Sequence, residues 1–125
     1  MKKGALIFWV GVGVLIVGGI AFAVLVKPQN TNLQPFAQCL KEKGATFYGA
    51  YWCPHCQRQK ALFGSAVGDL PYHECSTPDG QGQNDSCKQK NISNYPTWEF
   101  ADGSRLTGER TLTELAEKTG CTLPQ

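Results

Sequence analysis

Two cysteines one helical turn apart, in the run Cys53-Pro54-His55-Cys56, are the residues of this sequence best suited to chemistry. If a helix begins at Pro54, the amide groups of its first turn point at the Cys53 sulfur, and the positive helix end favours the thiolate. Proline suits that first position because its missing N–H has no partner there. His55 adds a hydrogen-bond donor or a positive charge beside the same sulfur. The pattern predicts dithiol–disulfide exchange, with Cys53 as nucleophile and Cys56 as resolving thiol.

Two other interpretations of the CxxC motif stay open at this point. Half of a zinc site needs a second ligand pair at matching spacing, and Cys75 and Cys87 do not form a second CxxC. A purely structural disulfide within the motif closes a very small loop, so its entropic stabilisation is slight.

An apolar segment without any charged residue runs from Gly4 to Val26. As a helix it is about 35 Å long, enough to cross the roughly 30 Å hydrocarbon core of a bilayer. Lys2 and Lys3 precede it and Lys27 follows, a bias that predicts a cytoplasmic N-terminus. We therefore expect a single-pass membrane anchor at residues 1–26, a polar linker at 27–32 and one extracytoplasmic domain at 33–125, in a periplasm or its equivalent.

A cleaved secretory signal is the alternative for the same segment, since Ala21-Phe22-Ala23 supplies small residues at a suitable spacing. The apolar stretch is longer than the about 7 to 15 residues usual in such signals, and Val24-Leu25-Val26 extends it without a polar region. Both interpretations place the rest of the chain outside the cytosol.

The composition beyond the anchor gives a second indication of the compartment. All six cysteines lie after residue 32, and an even number in a small domain is typical of an oxidising compartment. From Lys27 onward all ten acidic residues are matched by ten of the twelve basic ones, so this part has no net charge. We therefore expect no nucleic-acid partner.

Hydrophobic periodicity and turn signals predict an α/β domain. Aromatic residues run straight into the CxxC, Asp102-Gly103 marks a hairpin turn, and Thr111 with Glu114 forms a capping box ended by Gly120. We expect helices at 36–43, 54–66, 87–92 and 111–119, and strands at 45–52, 70–76, 95–100 and 104–107. This order predicts a mixed four-stranded sheet with flanking helices.

At this level of detail the sequence resembles the thioredoxin-fold thiol–disulfide oxidoreductases. The resemblance rests on the strand-to-CxxC junction of residues 47–56, on Tyr95-Pro96-Thr97 and on the terminal hairpin and helix. The inner dipeptide Pro54-His55 is more similar to the dithiol-oxidising branch than to the reducing thioredoxins.

A narrower resemblance is to the thioredoxin-like domain that bacteria fuse to, or place beside, vitamin K epoxide reductase homologues. Its residues are the run 48–56, Tyr95-Pro96-Thr97-Trp98 and Thr119-Gly120-Cys121. The resemblance implies protein thiols as substrates and reoxidation by a membrane-embedded, quinone-linked partner. We expect no cofactor and no metal ion in the domain itself.

The resemblance also implies a substrate site around the dithiol. Pro96 is expected to be cis and to pack opposite the CxxC, so that Tyr95 presents backbone groups to an extended substrate; the alternative is an ordinary proline at a strand entry. Trp52 is expected to shield the dithiol where the substrate docks, or else to pack in the core. Trp98 is expected in the core.

The remaining four cysteines are expected to form structural disulfides. Of the three possible pairings we expect Cys39–Cys121, which would join the first and last helices, and Cys75–Cys87, which would flank a polar loop. The alternative for Cys75 and Cys87 is a second redox pair.

One position departs from the family pattern. Many relatives have a buried acid six residues before the first cysteine to accept the proton of the second thiol, whereas this chain has Phe47. Water, His55 or Glu74 is expected to take over that proton. The alternative for Glu74 and its neighbour His73 is a solvated strand edge.

Three other functions remain open. The domain is alternatively a disulfide reductase, a disulfide isomerase, or a copper or zinc chaperone that binds metal through Cys53, Cys56 and His55.

Overall fold

The computed structural model describes residues 2–25 and 32–125, and it divides the chain into two compact units, 1–30 and 31–125. The first unit is one helix, α1 (Lys2–Leu25), with apolar residues on every side rather than along one face. Its segment Lys3–Ile20 is long and apolar enough to cross a membrane, a test that secretory signals also pass. Apart from Asn32, the linker expected at 27–32 lies outside the described residues.

The second unit alternates helices and strands. In chain order its elements are α2 (Gln34–Glu42), β1 (Thr46–Gly49), α3 (Pro54–Ala61), a 3₁₀ helix (Gly64–Asp69), β2 (Tyr72–Glu74), α4 (Asp85–Gln89), β3 (Thr97–Glu99), β4 (Arg105–Thr107) and α5 (Leu112–Thr119). The strands form one sheet in the order β2-β1-β3-β4. β1 pairs with β2 in parallel, and β1–β3 and β3–β4 are antiparallel. The expected mixed four-stranded, thioredoxin-like α/β fold is confirmed.

The main core forms on one face of the sheet around Trp98, which is fully buried. Its ring stacks on Phe47 with a centroid distance of 4.9 Å, and Phe63 packs against it at 6.5 Å. Phe36 of α2 stacks on Phe63 at 6.0 Å. Tyr48, the strand neighbour of Phe47, belongs to a second buried cluster, because successive side chains of a strand point to opposite faces.

The helix after the CxxC is shorter than the sequence predicts. It ends at Ala61 instead of residue 66, because Gly64 adopts a left-handed backbone with φ +52°, and a 3₁₀ helix follows. Two apolar residues near the end of this helix are not buried: Leu62 is 47 % exposed and Ala61 is exposed. The face that is buried continues instead through Gln59, which no apolar pattern indicates.

The strands are also shorter than expected, because turns and a proline interrupt the hydrogen bonds between strands. β1 stops at Gly49, and a turn follows in which the Cys53 amide donates to the Ala50 carbonyl at 3.0 Å. β3 starts only at Thr97 because the preceding Pro96 has no N–H to donate. The last helix agrees with the prediction: Thr111 and Glu114 form the reciprocal capping box, and α5 ends at a left-handed Gly120.

Candidate active site

The CxxC motif lies at the start of α3, just beyond the end of β1. Cys53 is the N-cap residue with an extended backbone, and Pro54 is the first helical residue. Both thiols are free, and Cys56 is fully buried whereas Cys53 retains 6 % exposure. The Cys53 sulfur therefore faces the positive end of α3 and is the thiol that another molecule reaches.

Cys56 is enclosed by the turn that joins β1 to α3 and by β1 itself. A Cβ added to Gly49 would lie 2.9 Å from the Cys56 Sγ, so the missing side chain of this glycine is what makes room for the sulfur. Burial raises the pKa of the Cys56 thiol to about 12, with a further rise from neighbouring Cys53. Cys56 is consequently a protonated thiol at neutral pH when the pair is reduced.

The opposite wall of the site comes from the segment before β3. The Tyr95–Pro96 peptide bond is cis, and the Tyr95 carbonyl oxygen lies 3.9 Å from the Cys53 Sγ. Pro96 is fully buried and Tyr95 is half-buried. The structure thus brings the four residues Cys53, Cys56, Tyr95 and Pro96 together.

An aromatic rim stands beside Cys53. Trp52 is 49 % exposed and Tyr51 is equally exposed, so Trp52 is a surface residue rather than part of the core. The Trp52 Nε1 donates to Ser76 Oγ at 2.9 Å, and its ring meets Tyr95 edge-on at 6.1 Å. The Tyr51 hydroxyl donates to the Pro78 carbonyl at 3.2 Å. The loop after β2 therefore holds both aromatic side chains in place.

His55 is exposed and belongs to a charged cluster that the sequence does not reveal. Its Nδ1 lies 2.7 Å from the Glu109 carboxylate and 2.8 Å from Arg58 Nη2. Arg58 Nε also donates to Glu109 at 2.8 Å. The hydrogen bonds from His55 and Arg58 lower the pKa of the Glu109 carboxyl. Glu109 and Arg58 thereby position the imidazole that the sequence assigned to the Cys53 thiolate.

Glu74 is a structural anchor in the turn before the CxxC. Its carboxylate accepts hydrogen bonds from the amides of Tyr51 at 3.2 Å and Ser76 at 2.9 Å, and from the Tyr72 hydroxyl at 2.7 Å. Burial and the bond to Glu74 raise the pKa of the Tyr72 phenol. The neighbouring His73 lies 2.8 Å from Ser86 Oγ. Both residues of the supposed solvated edge thus have protein partners.

Gln59 is a second residue that sequence reasoning missed. It is fully buried on α3, its side-chain amide donates to the Arg110 carbonyl at 3.0 Å, and its side-chain oxygen accepts from the Arg110 amide at 2.6 Å. This pair of bonds joins the CxxC helix to the loop that carries Glu109. The sequence shows Gln59 only as a polar residue within a helix. That it is buried becomes clear only once the buried face of α3 is known.

The four other cysteines form two disulfides, Cys39–Cys121 and Cys75–Cys87, the pairing that we expected first. Cys75–Cys87 closes the segment that contacts Tyr51 and Trp52. Within residues 2–25 and 32–125, no group of three or more His, Cys, Asp or Glu side chains is arranged to hold a metal ion.

The chain is similar in sequence to a curated thiol–disulfide oxidoreductase. The chain is 44 % identical over 94 residues to the thiol–disulfide oxidoreductase LTO1 of Arabidopsis thaliana. The domain is similar to a thiol–disulfide oxidoreductase. This match includes 71 % of the present chain, which spans only 24 % of the length of that relative.

The chain was also compared with protein-family models and with solved structures. No protein-family model matches the chain. Among solved structures, the oxidised form of mitochondrial thioredoxin 3 from Saccharomyces cerevisiae matches 72 % of this chain and 90 % of its own, with 21 % sequence identity and a TM-score of 0.41.

Proposed function

We propose that this protein is a membrane-tethered, extracytoplasmic thiol–disulfide oxidoreductase that passes its Cys53–Cys56 disulfide to secreted protein thiols. The observation that carries the proposal is the placement of the two sulfurs. Cys53 Sγ sits at the start of α3, 3.9 Å from the Tyr95 carbonyl and beside an exposed aromatic rim, while Cys56 is buried behind it. The similarity to a thiol–disulfide oxidoreductase supports the same reaction class.

The exchange follows from this difference in access. A substrate thiolate attacks Cys53 Sγ, the Cys53–Cys56 bond breaks, and Cys56 leaves as a thiolate that then takes up a proton. A second substrate thiolate attacks the substrate sulfur of the mixed disulfide and releases Cys53 as a thiolate. The substrate dithiol becomes a disulfide, and the two electrons end on the Cys53–Cys56 pair. An extended substrate strand is proposed to lie along Tyr95, whose backbone groups border the sulfur.

The direction of exchange is proposed from the charge around Cys53. The helix N-terminus favours the Cys53 thiolate, as does the His55 imidazole that Glu109 and Arg58 position. A stabilised thiolate makes the reduced form the lower in free energy, and such a disulfide is a comparatively strong oxidant. The domain is therefore proposed to oxidise its clients rather than to reduce them.

The compartment and the redox partner complete the proposal. Helix α1, apolar on every side, is proposed to anchor the domain with its N-terminus in the cytoplasm. Two disulfides outside the CxxC support an oxidising environment. We assign reoxidation to a membrane enzyme of the vitamin K epoxide reductase type, which would take two electrons from the Cys53–Cys56 pair and reduce a quinone. This assignment rests on the motif resemblance.

A trapping experiment tests the reaction and its nucleophile together. Cys53 of the Cys56→Ser variant is first activated as a mixed disulfide with a small aromatic thiol, and the 125-residue chain is then incubated with a reduced client peptide bearing one thiol. A covalent complex with the client should accumulate through Cys53, because neither Cys56 nor a second client thiol is present to resolve it. The matched Cys53→Ser variant should accumulate little, because Cys56 is buried. Equal trapping by both variants, or none by either, contradicts the proposed mechanism.

The reduction potential tests the direction of electron flow. Equilibration with glutathione should give a potential well above the about −270 mV of thioredoxin. A value near −270 mV would instead make the protein a reductase. Recovery of active ribonuclease from its scrambled form without a redox buffer would make it an isomerase.

A further inference from the structure

Lys60 lies one helical turn after Cys56 on α3, at the i+4 spacing that places two side chains next to each other on a helix. Its ammonium group sits 3.4 Å from the centre of the Tyr72 ring. A cation over an aromatic face is attracted by the ring quadrupole, so Tyr72 holds this flexible side chain in one position.

Tyr72 and Cys56 meet over Gly49. A Cβ built on Gly49 would lie 2.9 Å from the Cys56 Sγ and 2.9 Å from Tyr72 Cε2, so the ring edge and the sulfur share the space that this glycine leaves free. The Tyr72 ring is therefore a neighbour of both the Lys60 ammonium and the Cys56 thiol. The positive charge of Lys60 also lowers the pKa of Cys56, against the larger rise from burial.

The other ionisable groups around Cys56 already form hydrogen bonds or ion pairs with residues other than Cys56. On α3, His55 and Arg58 are bound to Glu109. On β2, the Glu74 carboxylate takes the Tyr72 hydroxyl and two backbone amides. On β1, Phe47 presents a fully buried apolar ring where relatives are expected to keep an acid. The segment before β3 contributes the Tyr95 carbonyl on the Cys53 side.

Resting on the proposed oxidoreductase function, we propose that Lys60 is a positioning residue that stabilises negative charge on Cys56 during exchange, held in place by the Tyr72 ring. When a substrate thiolate breaks the Cys53–Cys56 bond, the electron pair of that bond goes to Cys56 as it leaves. In the reverse step Cys56 loses its proton to solvent, attacks Cys53 of the mixed disulfide and expels the substrate thiolate, which is protonated in turn. Cys56 bears the charge in both directions, so Lys60 acts on both.

If Lys60 has this role, its replacement should change the rate of Cys56 attack but not the reduction potential. Reduced Cys56 stays a neutral thiol at pH 7, because its pKa is about 12, so the reduction potential depends little on the charge of Lys60. The rate of Cys56 attack depends on the thiolate fraction and therefore on that charge. A purely structural role for Lys60 would not produce this combination.

The test uses the reduced 125-residue chain in detergent and the aromatic disulfide 5,5′-dithiobis(2-nitrobenzoate). Attack by Cys53 releases one equivalent of the coloured thiolate, and attack by Cys56 on the resulting mixed disulfide releases a second. Lys60→Met should slow the second release roughly 3- to 10-fold near pH 7.5, as expected for the loss of one partly screened positive charge. The first release and the potential should stay unchanged. Lys60→Arg should restore the rate, and Lys88→Met on α4 is the matched control.

Substitution of Tyr72 tests how Lys60 is held. Tyr72→Phe keeps the ring and should keep the rate of the second release, whereas Tyr72→Leu removes the cation site and should reproduce the Lys60→Met effect. A Lys60→Met chain whose second release follows the wild-type rate from pH 7 to 9 overturns the proposal. Failure of the proposed function looks different: the wild-type chain would then release one equivalent only.

Discussion

The Sγ of Cys53 lies 3.9 Å from the carbonyl oxygen of Tyr95, a residue 42 positions further along the chain. This relationship joins the start of α3 to the segment that enters β3 across the paired strands β1 and β3. Because both segments are tied to the buried core around Phe47 and Trp98, the reactive sulfur is held against a backbone edge. An attacking thiolate that reaches Cys53 must approach along this edge.

Replacement of Gly49 by alanine should lower the free energy of unfolding and slow the attack of Cys56 on the mixed disulfide. The new Cβ would lie 2.9 Å from the Cys56 Sγ and from the Tyr72 ring, so one of them must move. We expect a loss of about 1–3 kcal/mol in the free energy of unfolding, as for other overpacked cores. Urea denaturation measures it, with Gly68→Ala as control because a Cβ there meets nothing within 4 Å. Equal behaviour of the two variants would refute the close contact at Gly49.

Replacement of Gln59 by leucine should destabilise the domain although it adds apolar surface. The change leaves the partly buried amide and carbonyl of Arg110 without their present partners. Each unsatisfied group costs about 1–3 kcal/mol, so we expect a total loss of about 2–6 kcal/mol. Gln89→Leu, at an exposed position of α4, is the comparison in the same denaturation assay. A Gln59→Leu domain as stable as wild type would show that the bonds to Arg110 contribute little.

Replacement of His55 by alanine should make the Cys53–Cys56 disulfide less oxidising. Loss of the imidazole that Glu109 and Arg58 position removes stabilisation from the Cys53 thiolate, and hence from the reduced form. A loss of about 1 kcal/mol corresponds to a potential about 20 mV more negative. Equilibration with glutathione measures the shift, and His73→Ala, whose ring faces Ser86, should leave the potential unchanged. A shift toward a more positive potential would exclude this role for His55.

Removal of either structural disulfide should lower stability, and the bridge that closes the longer chain segment should cost more. The two bridges close segments of 82 and 12 residues. The chain-entropy estimate gives losses of about 4.5 kcal/mol for the Cys39→Ala, Cys121→Ala pair and about 3 kcal/mol for the Cys75→Ala, Cys87→Ala pair. Thermal unfolding of the oxidised proteins measures both. Loss of thiol exchange without any loss of stability in the second variant would indicate a redox role for Cys75 and Cys87 instead.

The stability of the reduced protein should fall in alkaline solution. Burial raises the pKa of Cys56 to about 12 in the folded state from an ordinary value of 9.0, so the unfolded chain releases its proton first. The stabilisation is complete below pH 9 and is lost as the pH rises toward 12. Between pH 8 and 10 we expect a decrease of about 1 kcal/mol attributable to Cys56. Denaturation of reduced wild type beside reduced Cys56→Ala gives that difference, and parallel curves would contradict the raised pKa.

The sequence by itself determined the features that depend on neighbours along the chain. A proline after Cys53 sets the helix start, Thr111 and Glu114 cap α5, and Gly120 ends it; each works through bonds within one turn. The apolar character of α1 is equally local, since it needs only an uninterrupted run of apolar residues. The mixed sheet follows from the order of helices and strands along residues 33–125, which the sequence also predicts.

Only the tertiary structure decided which side chains surround the two sulfurs. Glu109 reaches His55 across 54 residues, and Gln59 binds the backbone of Arg110 across 51. The Lys60 ammonium finds the Tyr72 ring only because α3 packs over the parallel pair β1–β2. Such contacts depend on strand register and helix packing, which bring distant residues within a few ångströms. Hydrophobic periodicity along the chain does not predict those distances. The sequence therefore predicted the dithiol but not the charged residues that surround it.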